Sequence, residues 1–152
     1  MGNNKATTIY VIGMGPGNAD CLTREAVQAL VQATVCIGAS RMLQIWKNLC
    51  EEDGRDVGQT FYNAYKAEEI ADLIRNHENE TIAVVFSGDI GFYSGAKKLS
   101  MMLRKDAGKA CNMVSDTTGV TERIEAGKTI YELRYIPGLS SVLYLFDKLG
   151  ET

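Results

Sequence analysis

A single carboxylate follows an apolar run at a turn made of small residues. Thr81–Phe86 is apolar and rich in β-branched residues, and Ser87-Gly88-Asp89 comes directly after it. Side chains this small let a ligand approach the backbone, and a carboxylate can hold a cationic group or accept hydrogen bonds from hydroxyl or amino groups. The competing interpretation is that Asp89 only caps the helix that follows.

Two other predicted strands also end in loops of small residues. The three loops are Gly13–Gly17, Ser87–Gly91 and Pro137–Ser141. Ligands bind at the carboxyl ends of the strands in an open parallel sheet, so we expect all three loops at the same edge. Any one loop could simply be a strand-to-helix turn, but three of them together favour a ligand site.

The first loop does not carry a dinucleotide-binding signature. The motif G-x-G-x-x-G would need a glycine at position 18, where Asn18 stands. Pro16 also removes a backbone N–H from a loop that should donate to pyrophosphate. The strand end Val35–Gly38 offers no acidic residue for a ribose. A nicotinamide or flavin site is therefore not expected, whereas S-adenosylmethionine, which carries a positive centre and an adenosine, suits Asp89.

Gly127-Lys128-Thr129 resembles the end of a phosphate-binding P-loop, but the rest of that motif is missing. Its first glycine would fall at position 122, where the carboxylate of Glu122 would repel phosphate. No strong strand precedes the segment. We therefore predict a turn at Gly127-Lys128.

The cysteine and histidine positions do not predict a metal site. Structural zinc sites need paired ligands at short spacing, and His77, the only histidine, has no such partner. We expect His77 at the end of a helix, where it is a poor candidate for a catalytic base. The cysteines, which we expect to be reduced and mostly buried, are Cys21, Cys36, Cys50 and Cys111.

Strand and helix patterns alternate along the chain, and several strands are short apolar runs that suit burial on both faces. The pattern predicts the α/β class, with one open parallel sheet and helices on both faces, in a single domain over residues 1–152. Predicted strands are Thr7–Ile12, Thr34–Ile37, Thr60–Tyr62, Thr81–Phe86, Ala110–Val114 and Ile130–Ile136. Predicted helices are Thr23–Gln32 with Thr23 as the N-cap, Ser40–Leu49, Ala67–His77, Tyr93–Lys105 and Ser140–Leu149. The polar segment Ser115–Lys128 predicts a long loop or hairpin arm, and Met101-Met102-Leu103 is predicted to be core.

Composition excludes several classes of protein. The chain has 152 residues, a net charge of −3 and 45% hydrophobic residues, which suits one domain with a substantial core. A mildly acidic balance argues against nucleic-acid binding. The longest apolar run, Ile82–Phe86, is too short to cross a bilayer, and the N-terminal residues lack a signal-peptide pattern. We therefore expect a cytoplasmic protein without nucleic-acid or membrane partners.

Three motifs together resemble the tetrapyrrole methylases. They are GMGPGNADCLT from Gly13, SGDIGFYSG from Ser87 and IPGLSSVLYLFDKLG from Ile136. Within the family they are most similar to the branch that methylates C(5) of cobalt-precorrin-7 or precorrin-6Y in cobalamin biosynthesis. The resemblance implies a homodimeric methyltransferase that holds S-adenosylmethionine in a cleft between two α/β domains.

The chain corresponds to the first of those two domains, so we expect the second to be absent from it. This leaves two alternatives to the corrin methyltransferase. One is an isolated cofactor-binding or interaction domain without activity. The other is a methylase that acts at another tetrapyrrole position.

The resemblance also implies roles for individual residues. S-adenosylmethionine would contact Pro16, Ser87, Gly88, Asp89, Phe92, Ser140 and Ser141. The macrocyclic substrate would meet Gly13, Gly15, Gly17 and Arg41. Because that substrate carries many carboxylates, we expect a basic rim, with Arg24, Arg41 and Lys47 as candidates, although each could be a solvated helix charge. Methyl transfer from a sulfonium needs alignment and a dry pocket rather than a nucleophilic side chain, so no catalytic residue is assigned.

Overall fold

Strands and helices alternate over the part of the chain that the computed structural model describes, which is residues 6–14, 22–55, 58–87, 89–107, 111–116, 119–126 and 129–136. The strands are β1 (Ala6–Gly13), β2 (Val35–Gly38), β3 (Thr60–Asn63), β4 (Thr81–Phe86), β5 (Cys111–Asp116), β6 (Gly119–Ala126) and β7 (Thr129–Ile136). The helices are α1 (Arg24–Gln32), α2 (Ser40–Glu52), α3 (Ala67–Arg75) and α4 (Asp89–Ala107).

The described strands form one sheet in the order β3-β2-β4-β1-β7-β6-β5. The neighbours from β3 to β7 are all paired parallel. Strand β6 runs antiparallel to β5 on one side and to β7 on the other. The α/β class with an open, mainly parallel sheet is therefore confirmed, and β6 is the exception to a fully parallel arrangement among the described strands.

Helices cover both faces of this sheet, as the alternating pattern predicts. On one face, α3 and α4 bury apolar residues against β1, β2 and β4, including Ile70, Ile74, Leu99 and Leu103. On the other face, α1 and α2 do the same with Leu30, Leu43 and Trp46 among the buried residues. Each of these four helices therefore has an inward apolar face, which fixes its rotation on the sheet.

Several element boundaries follow directly from local sequence. The backbone N–H of Ala26 donates to Thr23 Oγ1 at 3.0 Å, which confirms Thr23 as the N-cap of α1. Strand β4 has the predicted bounds. Helix α3 ends at Arg75, so His77 lies just beyond it, and the predicted helix Ser140–Leu149 lies outside the described residues.

Helix α4 begins at Asp89, four residues before the predicted start at Tyr93. Gly91 lowers helix propensity, which is why the sequence alone favours a start after that position. The earlier start brings Asp89 into the first helical turn, where the helix dipole favours a carboxylate. Phe92 also lies within α4 rather than in a loop.

The segment Ser115–Lys128 contributes β6 to the sheet. Its hairpin character is confirmed, because β5 and β6 pair antiparallel with Asp116 opposite Gly119. The long-loop interpretation is wrong. Glu122 and Ile124 are buried while their neighbours Arg123 and Glu125 are exposed, which is the period-two pattern of a strand.

The pairing of β6 with β7 excludes a P-loop at Gly127-Lys128-Thr129. Ala126 lies opposite Thr129 in an antiparallel pair, whereas a P-loop leads from a strand into a helix. The turn predicted at Gly127-Lys128 falls outside the described residues.

Candidate functional site at the carboxyl edge of the sheet

Three neighbouring parallel strands end side by side at one edge of the sheet. Gly13 at the end of β1 pairs in register with Phe86 at the end of β4, and Ile12 pairs with Ile136 at the end of β7. The backbone N–H of Met14 also donates to the carbonyl oxygen of Phe86 at 2.8 Å, so the chain leaving β1 is attached to the end of β4. The predicted convergence of the three strand ends is therefore present in the structure.

A cavity of about 730 Å³ opens beside the end of β4. Its walls come from the end of β4, from the connection between β3 and α3 together with the first turn of α3, and from one face of α4. The lining residues are Tyr65, Lys66, Ala67, Glu68, Phe86, Ser87, Ser94, Gly95, Lys98, Met101, Met102 and Lys105. A volume of this size lies within the range of small-molecule sites.

Helix α4 approaches β4 closely because residue 95 has no side chain. A Cβ atom built on Gly95 would lie 2.4 Å from Cε1 of the Phe86 ring, well inside van der Waals contact. The Phe86 ring therefore packs on the helix backbone and forms a wall of the cavity. A glycine at this position sets how near the helix can lie to the strand end.

One face of α4 is directed at the sheet and the opposite face at the cavity. Leu99 and Leu103 are fully buried against the sheet. Ser94, Lys98 and Lys105 follow one another at helical spacing on the other face and line the cavity. The prediction that Met101 is core is wrong, since its side chain is 50% exposed and also lines the cavity, while Leu103 confirms the prediction.

Positive charge dominates the cavity wall. Lys66, Lys98 and Lys105 are exposed there, and Glu68 is the acidic residue among the described lining residues. None of the three lysines forms an ion pair within the described part of the chain. The ammonium groups are therefore available to an anionic ligand.

A buried carboxylate fixes the far end of α4 to the sheet. Glu122 on β6 is 1% exposed and accepts hydrogen bonds from Ser100 Oγ at 2.5 Å and from Tyr135 OH at 3.0 Å. Arg104 forms an ion pair with the same carboxylate. Serine and arginine from α4 thus meet strands β6 and β7 at one charged group, which holds the helix that lines the cavity.

The structure describes only part of the predicted set of cofactor and substrate contacts. Ser87 is exposed at the end of β4 and lines the cavity, and Gly13 is buried at the adjoining end of β1. Asp89 and Phe92 are placed in the first turn of α4. The predicted contacts that lie outside the described residues are Gly15, Pro16, Gly17, Gly88, Ser140 and Ser141.

The predicted basic residues do not line the cavity. Arg24 and Arg41 are exposed at the first turns of α1 and α2, and neither is among the lining residues. The ammonium nitrogen of Lys47 lies 4.5 Å from the centroid of the Phe61 ring, which supports a packing role for that side chain. A substrate role for Arg41 stays a prediction.

Sequence reasoning missed the lysines that do line the cavity. Lys98 and Lys105 lie seven residues apart on α4 with Ser94 and Met101 on the same face, a spacing that could have been read from the sequence. The role of Lys66 could not have been read from the sequence, because only the fold brings the β3–α3 connection opposite α4. The basic rim itself was expected, but on other residues.

Two cysteines in the described part of the chain are buried, and the histidine side chain contacts two polar neighbours. Cys36 and Cys50 are buried free thiols, and burial raises the pKa of both, that of Cys36 to about 12. His77 is held on both sides, with Nδ1 2.8 Å from Glu80 Oε2 and Nε2 3.1 Å from Tyr62 OH.

Among the described residues no group of three or more histidine, cysteine or acidic residues could hold a metal ion. Within the same ranges no helix is long and apolar enough to span a membrane.

Comparisons with known proteins agree with this architecture. A probable cobalt-precorrin-7 C(5)-methyltransferase of Methanocaldococcus jannaschii is 29% identical over 93 residues, which are 60% of this chain and 41% of that protein. The X-ray structure of a cobalt precorrin-4 methyltransferase superposes with a TM-score of 0.60 at 19% identity, covering 94% of this chain and 49% of the other. The uroporphyrin-III-C-methyltransferase of Thermus thermophilus gives a TM-score of 0.52 at 18% identity, covering 94% and 51%.

The two structural likenesses establish the fold. The chain spans between 41% and 51% of the length of the three proteins named above. The family assignment comes from a separate comparison. The family model of the tetrapyrrole (corrin/porphyrin) methylases matches residues 8–151, which is nearly the whole sequence. The chain belongs to the tetrapyrrole methylase family.

Proposed function

We propose that the chain is the cofactor-binding half of an S-adenosylmethionine-dependent C-methyltransferase that acts on a corrin precursor in cobalamin biosynthesis. The proposed acceptor is cobalt-precorrin-7 or precorrin-6Y. Membership of the tetrapyrrole methylase family carries the proposal, and the relative named as a cobalt-precorrin-7 C(5)-methyltransferase supports the choice of acceptor. The homodimer implied by the family and the cytoplasmic location expected from the sequence are part of the same proposal.

The charge of the cavity indicates which side of Ser87 suits the methyl donor. The donor carries a sulfonium, an amino group and one carboxylate, so its net charge is positive and the lysine-lined cavity is unfavourable for it. Beside β4, the ends of β1 and β7 continue the same edge of the sheet, and Gly13 adds no side chain there. We place the donor there, with Asp89 at the start of α4 as the carboxylate that faces its positive or hydroxyl groups.

The remaining proposed donor contacts are those carried over from the family motifs. They are Pro16, Gly88, Phe92, Ser140 and Ser141. When bound, S-adenosylmethionine supplies an electrophilic methyl group. The chain's own residues then have to align the two reactants and exclude water, and neither task requires a nucleophile from this chain.

A second candidate function is a cofactor-binding or interaction domain without activity of its own. The chain covers 41% of the relative from Methanocaldococcus jannaschii, so the activity of that whole protein is a proposal for this chain. Methylation at another tetrapyrrole position is a further alternative, because two of the structural neighbours are named for other acceptors. Assays of methyl transfer with the different acceptors would distinguish these possibilities.

The first test is calorimetric titration of the chain with S-adenosylhomocysteine. We expect binding by the unaltered chain and at least a tenfold weaker affinity in Asp89→Asn, because one charged hydrogen-bond acceptor contributes about 1.5–3 kcal/mol. Asp53→Asn, an exposed carboxylate after α2, is the matched control and should bind as the unaltered chain does. Absence of binding, or equal binding by both variants, would contradict the proposed donor site.

A further inference from the structure

We propose that the cavity between α4 and the start of α3 binds an apolar ligand with several carboxylates, and that Lys66, Lys98 and Lys105 recognise those carboxylates. If the proposed function holds, this ligand is the methyl acceptor, and to that extent the inference rests on it. The three lysines are then specificity residues of this chain. They are not among the residues that the family motifs implied for the substrate.

The spacing of two lysines matches two separate carboxylates on one ligand. Lys98 and Lys105 are seven residues apart on the same face of α4, so their backbone positions are separated by about 10 Å along the helix. Lys66 stands at the start of α3, on the other wall of the cavity. Three cations around one opening suit a ligand whose negative groups lie on its periphery.

Exposed apolar side chains in the same cavity indicate that the body of the ligand is apolar. The large hydrophobic residues exposed in the described part of the chain are Val31, Tyr65 and Met101, and the last two line this cavity. Met101 stands between the two lysines of α4, and the Phe86 ring adds a further apolar wall. An aromatic ring and a flexible thioether are good contacts for a flat conjugated ligand.

Charge complementarity decides between ligand classes. Glu68 is the acidic lining residue among those described, so the cavity keeps an excess of positive charge although the chain carries −3 overall. A cationic donor is disfavoured there, and a wholly apolar ligand would leave the three ammonium groups without a role. An apolar ring with carboxylates at its rim satisfies both parts of the wall.

The test uses a soluble porphyrin with eight carboxylates as the probe and a tetracationic porphyrin of similar ring size as its charge-reversed counterpart. Binding to the full chain is followed by the porphyrin absorbance. We expect the octacarboxylate to bind and the tetracationic porphyrin to bind at least tenfold more weakly. Lys98→Glu and Lys105→Glu should each weaken octacarboxylate binding at least fivefold, and affinity should fall as salt is raised.

Lys97→Glu is the matched control, because Lys97 is exposed on the same helix and does not line the cavity. It makes the same change in net charge and should alter affinity less than twofold. Fluorescence of Trp46, which is buried on the opposite face of the sheet, verifies that each variant is folded. Equal effects of Lys97→Glu and Lys98→Glu would overturn the proposal, because general charge would then explain the binding.

Two other outcomes would also overturn it. One is absence of octacarboxylate binding by the unaltered chain. The other is a shift in self-association, measured by sedimentation velocity, that follows Lys98→Glu while porphyrin affinity stays constant, which would make this face a contact between copies. Titration with S-adenosylhomocysteine is independent of these results, so loss of donor binding with retained porphyrin binding would count against the proposed function alone.

Discussion

At the scale of single residues, Cys36 shows how completely the centre of the sheet excludes water. Its thiol lies on β2 and is 0% exposed. Burial, and to a smaller extent the nearby Cys50, raises the pKa of Cys36 to about 12. A thiolate is therefore strongly disfavoured in the folded chain, and Cys36 should not react with thiol reagents unless the fold opens.

The raised pKa predicts that the chain loses stability in alkali. Above about pH 9 the thiol of the unfolded chain loses its proton while the folded chain retains it, so the free energy of unfolding falls as pH rises towards the folded pKa of about 12. The slope from this one group is at most about 1.4 kcal/mol per pH unit. Urea unfolding between pH 8 and pH 10 measures it. Cys36→Ala should show a shallower fall, and parallel curves for the two proteins would contradict the prediction.

At the scale of elements, the strands and helices with a clear apolar pattern were predictable. Strand β4 is a continuous apolar run with the predicted bounds, and α1 begins after a threonine that caps it. Strand β6 was not recognised because its buried face contains Glu122, whose partners come from α4 and β7. Charge at an inward position breaks the alternating pattern, and no local rule shows that distant residues will satisfy it.

The candidate site was predictable to a similar degree. The convergence of three strand ends follows from parallel pairing and could be inferred from the glycine-rich loops alone. The identity of the cations around the cavity could not be inferred from the sequence, because Lys66 and Lys98 belong to different elements that only the fold brings together. The spacing of apolar and polar residues identifies the faces of one helix, but it does not identify the element that lies opposite each face.

The buried carboxylate of Glu122 should contribute to the stability of the fold, because it connects α4 to β6 and β7. Replacing it with alanine removes the acceptor shared by Ser100 and Tyr135 and leaves the Arg104 guanidinium without its carboxylate. We expect Glu122→Ala to lower the free energy of unfolding by about 1–3 kcal/mol, because the buried Ser100 hydroxyl loses its acceptor while Arg104, whose side chain is 40% exposed, stays solvated. Urea unfolding measures the loss, and it should be accompanied by weaker ligand binding in the cavity because α4 is no longer fixed to β6.

The control for this change lies on the same strand. Glu125 is exposed and pairs with Arg123 at 3.5 Å, so Glu125→Ala should cost less than about 1 kcal/mol. Glu122→Gln keeps the shape and part of the hydrogen bonding and should fall between the two. Similar stabilities for Glu122→Ala and Glu125→Ala would show that the buried carboxylate does not fix the helix.

At the scale of the whole molecule, the central strands join the two cores into one unit. Ile82 and Val84 on β4 belong to the cluster under α3 and α4, while Ala83 and Val85 of the same strand belong to the cluster under α1 and α2. Successive side chains of a strand point to opposite faces, so neither core can lose its strands without exposing the other. The described sheet should therefore unfold cooperatively.

The single tryptophan makes this cooperativity measurable. Trp46 is buried in the cluster under α1 and α2, and Ile74 is fully buried in the cluster on the opposite face. Ile74→Ala should lower the free energy of unfolding by about 2–5 kcal/mol. If the sheet is one unit, the denaturant midpoint moves equally when followed by Trp46 fluorescence and by far-ultraviolet circular dichroism. A Trp46 transition that keeps its original midpoint while the dichroism transition moves would show that the two faces unfold separately, and the cavity beside α4 could then open without disturbing α1 and α2.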